Sequence, residues 1–576
     1  MVGRFFLALW LFIRAGIALD CSTASLSSIL PSNCTVTFAQ QITHTGEFSK
    51  DGIIIKIPFA VPSSTFPICA VNIKVQSSPN TTFNSGILLP SNWNGRMMAT
   101  GNPGFGGGMR WDFMGSSMNY GPAVTTSTDT GHIGPPNGIT WAIHNPEGVI
   151  DWSYRSLHYT TVLAKQVANA FYGKPVRHAY YTACSNGGRQ GMKEIQMYPG
   201  DYDGVVVGAP PWWITHLHPW ALQVGLWNLP SSSSAHITSQ QVTAVGTEVM
   251  KQCDHQDGVA DGIVSKPYSC NFDSSALLCS NSGSSSTTCL NSTQLGTVSK
   301  IYNDWLRADG SLLFPGFPIS ASASRYADVT TSPNHFGLEY MQGFVYNETA
   351  WNWHTFSGEK TVNFVDSINA GQAAALSTDL SKFQANGGKL IIYHGLADTT
   401  VPTSSSLLYY QKVKQSFAAT NPGTSIDDFF KFYLVPGMGH CGGSTVAPYY
   451  IAAAGQIVKT SSGTGFSTPG YVDTKHDVLL AMMDWVEHNN APDHIIASKW
   501  VSDNATNGLS MQRPLCPYPE QQKFIGGNYK AAGAWTCISG TEVDFPLPKG
   551  SQGTVSTTTN KPVAQRRSAK FRDHPQ

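Results

Sequence analysis

Apolar positions along the chain keep either a period of two, a helical period, or no period at all, and each change of rhythm marks an element. Apolar runs bounded by Gly, Pro and Asn predict strands at 97–100, 178–183, 204–208, 389–393 and 430–435. Proline-broken alternation from Ile53 to Val75, and again over 85–89, predicts further short strands. Val162, Leu163, Val167 and Phe171 form one face of a helix predicted over 157–173; two more helices are expected, from just after Ser185 to about Met197 and from Asp477 to His488. Strand, helix, strand is the signature of a parallel sheet, so the expected class is α/β. From Pro210 to about Gly388 the rhythm dissolves into a stretch rich in Trp, Ser, Gly and Asn. That stretch reads as an insertion, 211–387, dividing a discontinuous domain of 19–210 and 388–545.

The two ends follow other patterns. Residues 1–18 carry Arg4, an apolar run from Phe5 to Ile13 and a small-residue ending, the layout of a secretory signal peptide, interrupted only by Arg14. The alternative is a retained anchor. No later segment has the roughly 18–20 uninterrupted apolar residues of a membrane span, so an exported, soluble chain with no membrane partner is expected. The stretch 546–576 is Ser/Thr-rich, then basic through Arg566-Arg567, and is expected to be a disordered tail.

Composition changes the picture in two ways. A chain of 576 residues exceeds one average domain, and with 12% charged residues and zero net charge it offers no nucleic-acid surface; a neutral or apolar small molecule is the expected partner. Eleven cysteines in an exported chain imply disulfides and leave one over. Glycosylation acceptor patterns stand at Asn33, Asn80, Asn291, Asn347 and Asn504, and Cys34, inside the first of them, is the candidate free thiol.

The chemistry gathers at predicted strand ends. Ala183-Cys184-Ser185-Asn186-Gly187 follows the strand at 178–183 and has the small-x-Ser-x-Gly form of a nucleophile elbow, with Ala in place of the usual first Gly. Asp398 follows the strand at 389–393, and His440 the strand at 430–435. In a parallel sheet the C-terminal strand ends share one rim, so Ser185, Asp398 and His440 can meet there, in the chain order of an α/β-hydrolase. Taken singly, Asp398 reads equally as a turn cap and His440 as a surface turn residue. Together they supply a nucleophile, an orienting carboxylate and a general base. The tetrahedral oxyanion would be met by the N–H of Asn186 and by one from the loop Gly101-Asn102-Pro103-Gly104-Phe105-Gly106-Gly107-Gly108, for which Gly104 is the candidate; the loop also reads as a plain surface turn. Cys184 precedes the serine and Cys441 follows the histidine. A disulfide between them would clamp two catalytic loops, worth ~4–5 kcal/mol by chain entropy, unless each cysteine pairs elsewhere.

These motifs, with Trp93-Asn94-Gly95-Arg96, resemble the tannase and feruloyl esterase family of secreted α/β-hydrolases over about Cys21–Cys537. The resemblance implies an α/β-hydrolase domain, a large lid inserted between nucleophile and acid, and bridged cysteines beside the serine and histidine. It implies hydrolysis of phenolic-acid esters through an acyl-enzyme on Ser185. Feruloyl esters of plant cell-wall polysaccharide are the first expectation and galloyl esters, the tannase reaction, the alternative; a non-catalytic binding protein on the same fold is the reading from another class. In the insertion, the loop Cys253-Asp254-His255-Gln256-Asp257-Gly258-Val259-Ala260-Asp261-Gly262-Ile263 reads from its residues as a solvated Asp-Gly turn or an oxygen-lined Ca²⁺ site. The resemblance implies structural calcium held by Asp254, Asp257, Val259, Asp261 and Ile263, with no organic cofactor. It leaves Cys253–Cys270, Cys279–Cys289, Cys516–Cys537 and Cys21–Cys69 as local pairs.

Overall fold

Nine strands pair into one sheet in this computed structural model, which describes residues 19–42, 47–50, 53–56, 66–282, 287–322, 331–461, 463–464 and 467–547. The expected leader at 1–18 and the tail from 548 onward lie outside the described residues. In chain order the strands are β1 Cys34–Ile42, β2 Ile68–Ser78, β3 Thr81–Pro90, β4 Arg96–Ala99, β5 Val124–Thr128, β6 His178–Cys184, β7 Gly204–Gly208, β8 Lys389–Gly395 and β9 Phe430–Val435. Their spatial order is β1-β2-β3-β5-β4-β6-β7-β8-β9. Pairing is antiparallel from β1 to β5 and parallel from β5 through β9. The reversal of β4 and β5, followed by a run of parallel strands, is the α/β-hydrolase sheet.

Period-two alternation sorts the strand residues between two cores. Tyr181, Val205, Val207 and Ile392 face helices α1 (Ser156–Tyr172), α2 (Asn186–Met197) and α4 (Thr403–Thr420). Their neighbours Tyr180, Val206, Ile391 and Tyr393 face α5 (Val478–His488) on the other side, where Met482 and Trp485 are buried. Each such apolar side chain contributes about 1.5–3 kcal/mol when fully buried. One expectation is corrected: Val162 is 42% exposed. The buried face of α1 runs through Leu157, Thr160, Thr161, Leu163, Ala164, Val167 and Ala168, and Val162, nine residues and so half a turn away from Phe171, points outward.

Between β7 and β8 the chain leaves the sheet for about 180 residues and builds a core of its own. Helix α3 (Ile214–Asn228) contributes Trp220 and Val224, which pack with Val242, Val245, Leu295, Val298, Phe314 and Phe317. Cys253–Cys270 and Cys279–Cys289 close loops within this segment, and Cys21–Cys69 and Cys516–Cys537 within the rest. Cys34 is free and half-buried.

Candidate active site

Three strand ends stand level at one rim. Cys184 pairs with Gly208, Gly208 with Tyr393, and Gly395 with Val435, so the loops after β6, β8 and β9 open side by side. Ser185 follows β6 at φ 60° and ψ −131°, a region that side chains other than Gly rarely occupy. Its N–H donates to Gly208 O (2.9 Å) and its carbonyl accepts from Arg189 N–H (3.0 Å). The turn is tight enough that a Cβ on Gly187 would lie 2.8 Å from Ala183 Cβ. Gly187 is therefore obligatory, and its absent Cβ leaves room for an alanine at 183.

The Ser185 hydroxyl donates to His440 Nε2 at 2.9 Å, and His440 Nδ1–H donates to Asp398 Oδ2 at 2.8 Å. Asp398 only accepts, which fixes the proton on Nδ1 and leaves Nε2 to receive the serine proton. The carboxylate is completely buried, and its Oδ1 accepts from Thr400 N–H (2.7 Å) and Val401 N–H (3.0 Å). Burial alone would raise its pKa; the charge of His440 and hydrogen bonds from His394 and His440 prevail and hold it well below the usual carboxylate range. His394 is the residue that sequence reasoning passed over. Its Nε2–H is shared between Asp398 Oδ2 (3.1 Å) and Val401 O (3.0 Å), while Ser406 donates to its Nδ1 (2.9 Å). His394 lies four residues before Asp398, and that proximity was its one signal.

A disulfide joins Cys184 to Cys441 with Cα atoms 5.8 Å apart, tying the serine loop to the histidine loop across 257 residues of sequence. On the far side of the serine, Asn186 Nδ2 donates to Asn102 O (3.1 Å) and Gln190 Oε1 accepts from Asn102 N–H (3.0 Å), so α2 grips the glycine loop. Arg189, fully buried, holds Asn186 Oδ1 (2.7 Å) and reaches Ala373 O in the inserted segment (2.7 Å). In the glycine loop the N–H groups of Asn102, Phe105, Gly106, Gly107 and Gly108 are committed to other acceptors. None of the described residues accepts from Gly104 N–H. Ser185, Asn186, Gly104 and His440 line one cavity of about 300 Å³, walled by Phe105, Phe113 and Phe336 and by Ile214 and Leu217 of α3.

The residues expected to ligate calcium lie apart from the serine, where the inserted segment meets the C-terminal hairpins. Val259 packs with Trp535, and Ile263 with Met511. Asp254 Oδ1 accepts from the N–H groups of Asp261, Gly262 and Ile263, and Asp257 from Val259 N–H and Ser265 Oγ–H. Arg513, 3.9 Å above the Trp535 ring, bonds Asp261 and lies 3.7 Å from Asp257. One guanidinium against three carboxylates leaves two negative charges over within this group, and Asp261 Oδ1 is buried without a partner among the described residues. Burial raises the Asp261 carboxyl, Arg513 pulls it back, and the charges of Asp257 and Asp254 push with burial. An all-oxygen donor set with uncompensated negative charge fits a hard divalent cation.

The family described as "Tannase and feruloyl esterase" matches residues 69–538. The chain belongs to that family. It is 34% identical over 487 residues to the probable feruloyl esterase B-1 of Aspergillus oryzae, covering 83% of this chain and 85% of that one. With the feruloyl esterase B of Aspergillus niger it shares 31% identity over 479 residues, 82% of this chain and 87% of the relative. The crystal structure of feruloyl esterase B from Aspergillus oryzae superposes with a TM-score of 0.78 at 32% identity, over 90% of this chain and 99% of that one. Tannin acyl hydrolase from Aspergillus niger shares the fold at TM-score 0.68 and 20% identity, covering 90% and 96%. Family membership makes this member a carboxylic ester hydrolase of α/β-hydrolase fold.

Proposed function

We propose that the protein is a secreted serine esterase that releases hydroxycinnamic acids, ferulic acid first among them, from esters of plant cell-wall polysaccharide. The observation that carries this reading is the unbroken relay from Ser185 through His440 to Asp398, opening into an aromatic-walled cavity. Ser185 attacks the ester carbonyl as His440 takes its proton. The oxyanion that forms is met by Asn186 N–H and Gly104 N–H, each worth about 3 kcal/mol of barrier. His440 then protonates the leaving alcohol, activates a water, and the acyl-enzyme is hydrolysed.

Three further assignments accompany this reading. Segment 211–387 acts as the lid, roofing the cavity with α3 and Phe336. Asp254, Asp257 and Asp261, with the carbonyls of Val259 and Ile263, hold a calcium ion whose role is to fasten the lid to the C-terminal hairpins. Export is supported by five disulfides and by acceptor asparagines that are exposed at 33, 80, 291 and 347 and half-buried at 504. Among the described residues no helix is long and apolar enough to cross a membrane.

Side-by-side rates on methyl ferulate, methyl caffeate and methyl gallate test the substrate class. Ferulate or caffeate turned over faster than gallate is the expected order. A clear preference for gallate assigns the protein to tannin hydrolysis instead.

A further inference from the structure

One chemically capable side chain in the cavity wall takes no part in the relay. His218 stands in α3, followed by Pro219, and its ring lines the cavity that holds Ser185. Tyr340 stacks on it with centroids 4.5 Å apart and planes at 25°, and Phe105, the residue after Gly104, meets it at 5.3 Å. Both of those rings are buried, so the imidazole is held in one orientation. Its Nδ1 is sealed from solvent and bonds to nothing among the described residues, which also leave Nε2 without a partner. Burial, helped by the charge of Arg189, pushes its pKa down to about 3, so the ring is neutral at neutral pH.

A neutral imidazole carries one donor and one acceptor. Left unmatched among Phe105, Phe113 and Phe336, the Nε2 group costs free energy that a suitably placed hydroxyl on a bound ring restores. A polar group of this kind in an apolar wall is what lets a site reject the analogue that lacks the hydroxyl.

We propose that His218 is a substrate-binding residue whose Nε2 hydrogen-bonds a ring hydroxyl of the acyl group, selecting hydroxylated cinnamoyl esters over unsubstituted ones. The proposal rests on the esterase reading of Ser185. No bond to His218 forms or breaks in turnover; the phenol either donates to the ring nitrogen or accepts from its N–H. Ser185, Asn186, Gly104 and His218 line the same cavity, so an acyl group bound with its carbonyl at Ser185 shares its space with His218.

The test compares kcat/KM for methyl 4-hydroxycinnamate and methyl cinnamate, with 4-nitrophenyl acetate as an ester lacking an aromatic acyl group. Wild type is expected to favour the hydroxylated ester by about tenfold or more. His218→Leu should lose most of that ratio while still hydrolysing the acetate, and His218→Gln, which keeps a donor and an acceptor, should recover part of it. A wild-type ratio near one overturns the proposal without any variant, and so decides the matter even if His218→Leu does not fold. A folded His218→Leu that keeps the ratio, or slows both cinnamoyl esters equally, overturns it too. Wild-type protein inert on all three esters refutes the esterase reading instead.

Discussion

Asp398 accepts four hydrogen bonds, two from backbone N–H groups and one each from His394 and His440. That is full coordination for a buried carboxylate, and it leaves the anion one task, to hold the Nδ1 proton of His440. Asp398→Asn should therefore preserve the fold yet reverse the tautomer, lowering kcat by roughly 10⁴-fold. His394 acts only through Asp398, as a positioning residue. His394→Gln is expected to lower kcat with KM unchanged, since an amide N–H in its place keeps one donor to the carboxylate; equal damage to KM and kcat in a steady-state comparison would show that the ring shapes the cavity instead. Ser185, Asp398 and His440 were legible because three short loops follow three apolar runs in the order that chemistry demands. His394 was not, because a spacing of four residues before Asp398 alone does not show that its ring turns back to reach Asp398 and Val401. Arg189 and Gln190 were missed for another reason: their partners, Ala373 and Asn102, are remote in sequence.

Among the elements, β6, β7, β8 and β9 could be read to within one or two residues, since a buried parallel strand is a continuous apolar run and leaves little ambiguity. The two edges of the sheet were harder. β1 alternates weakly, and the pair Ile495–Trp500 and Leu509–Leu515, which abuts β9, mixes Lys, Ser, Gln and Arg into its pattern because those side chains find buried partners. Helix α5 carries a measurable consequence. Its cap, Asp477, is completely buried, accepts from the N–H groups of Leu479 and Leu480, and receives hydroxyl hydrogen bonds from Tyr120 and Ser467. Burial raises its pKa to about 6 despite those bonds. The folded state thus keeps this proton to a higher pH than the unfolded chain, whose Asp titrates near about 3.9. The carboxyl therefore costs no stability below about pH 4, costs progressively more as pH rises to about 6, and levels off above. Asp477→Asn retains a capping side chain and removes the titration. Thermal unfolding from pH 4 to 7 should find wild type losing ground to this variant up to about pH 6; a constant difference would mean that Asp477 does not titrate there.

On the scale of the whole molecule, the segment between β7 and β8 is more than a loop, because it has its own buried core and two disulfides. Its existence was legible as a break in rhythm. Its internal packing was not, since short helices around a Trp- and Phe-rich core show no sustained period. Two contacts join this segment to the rest of the molecule: Arg189, which reaches from the helix after Ser185 to Ala373, and the acidic loop held against Arg513 and Trp535. If the second is a calcium site, chelation followed by desalting should lower the unfolding temperature, and added Ca²⁺ should restore it with little change in kcat at a temperature where both forms are folded. An unchanged melting temperature, with elemental analysis finding no bound metal, removes the ion from the account. The Cys184–Cys441 bridge works at the same scale, closing a 257-residue span directly at the chemistry.

All of these scales converge on the Ser185 hydroxyl, and the most direct measurement is the rate at which folded Ser185→Ala hydrolyses methyl ferulate. The account predicts a wild-type melting profile and a kcat reduced by about 10⁶-fold, leaving only the residual rate that the oxyanion donors and substrate binding supply. Turnover within tenfold of wild type by the folded variant would contradict it.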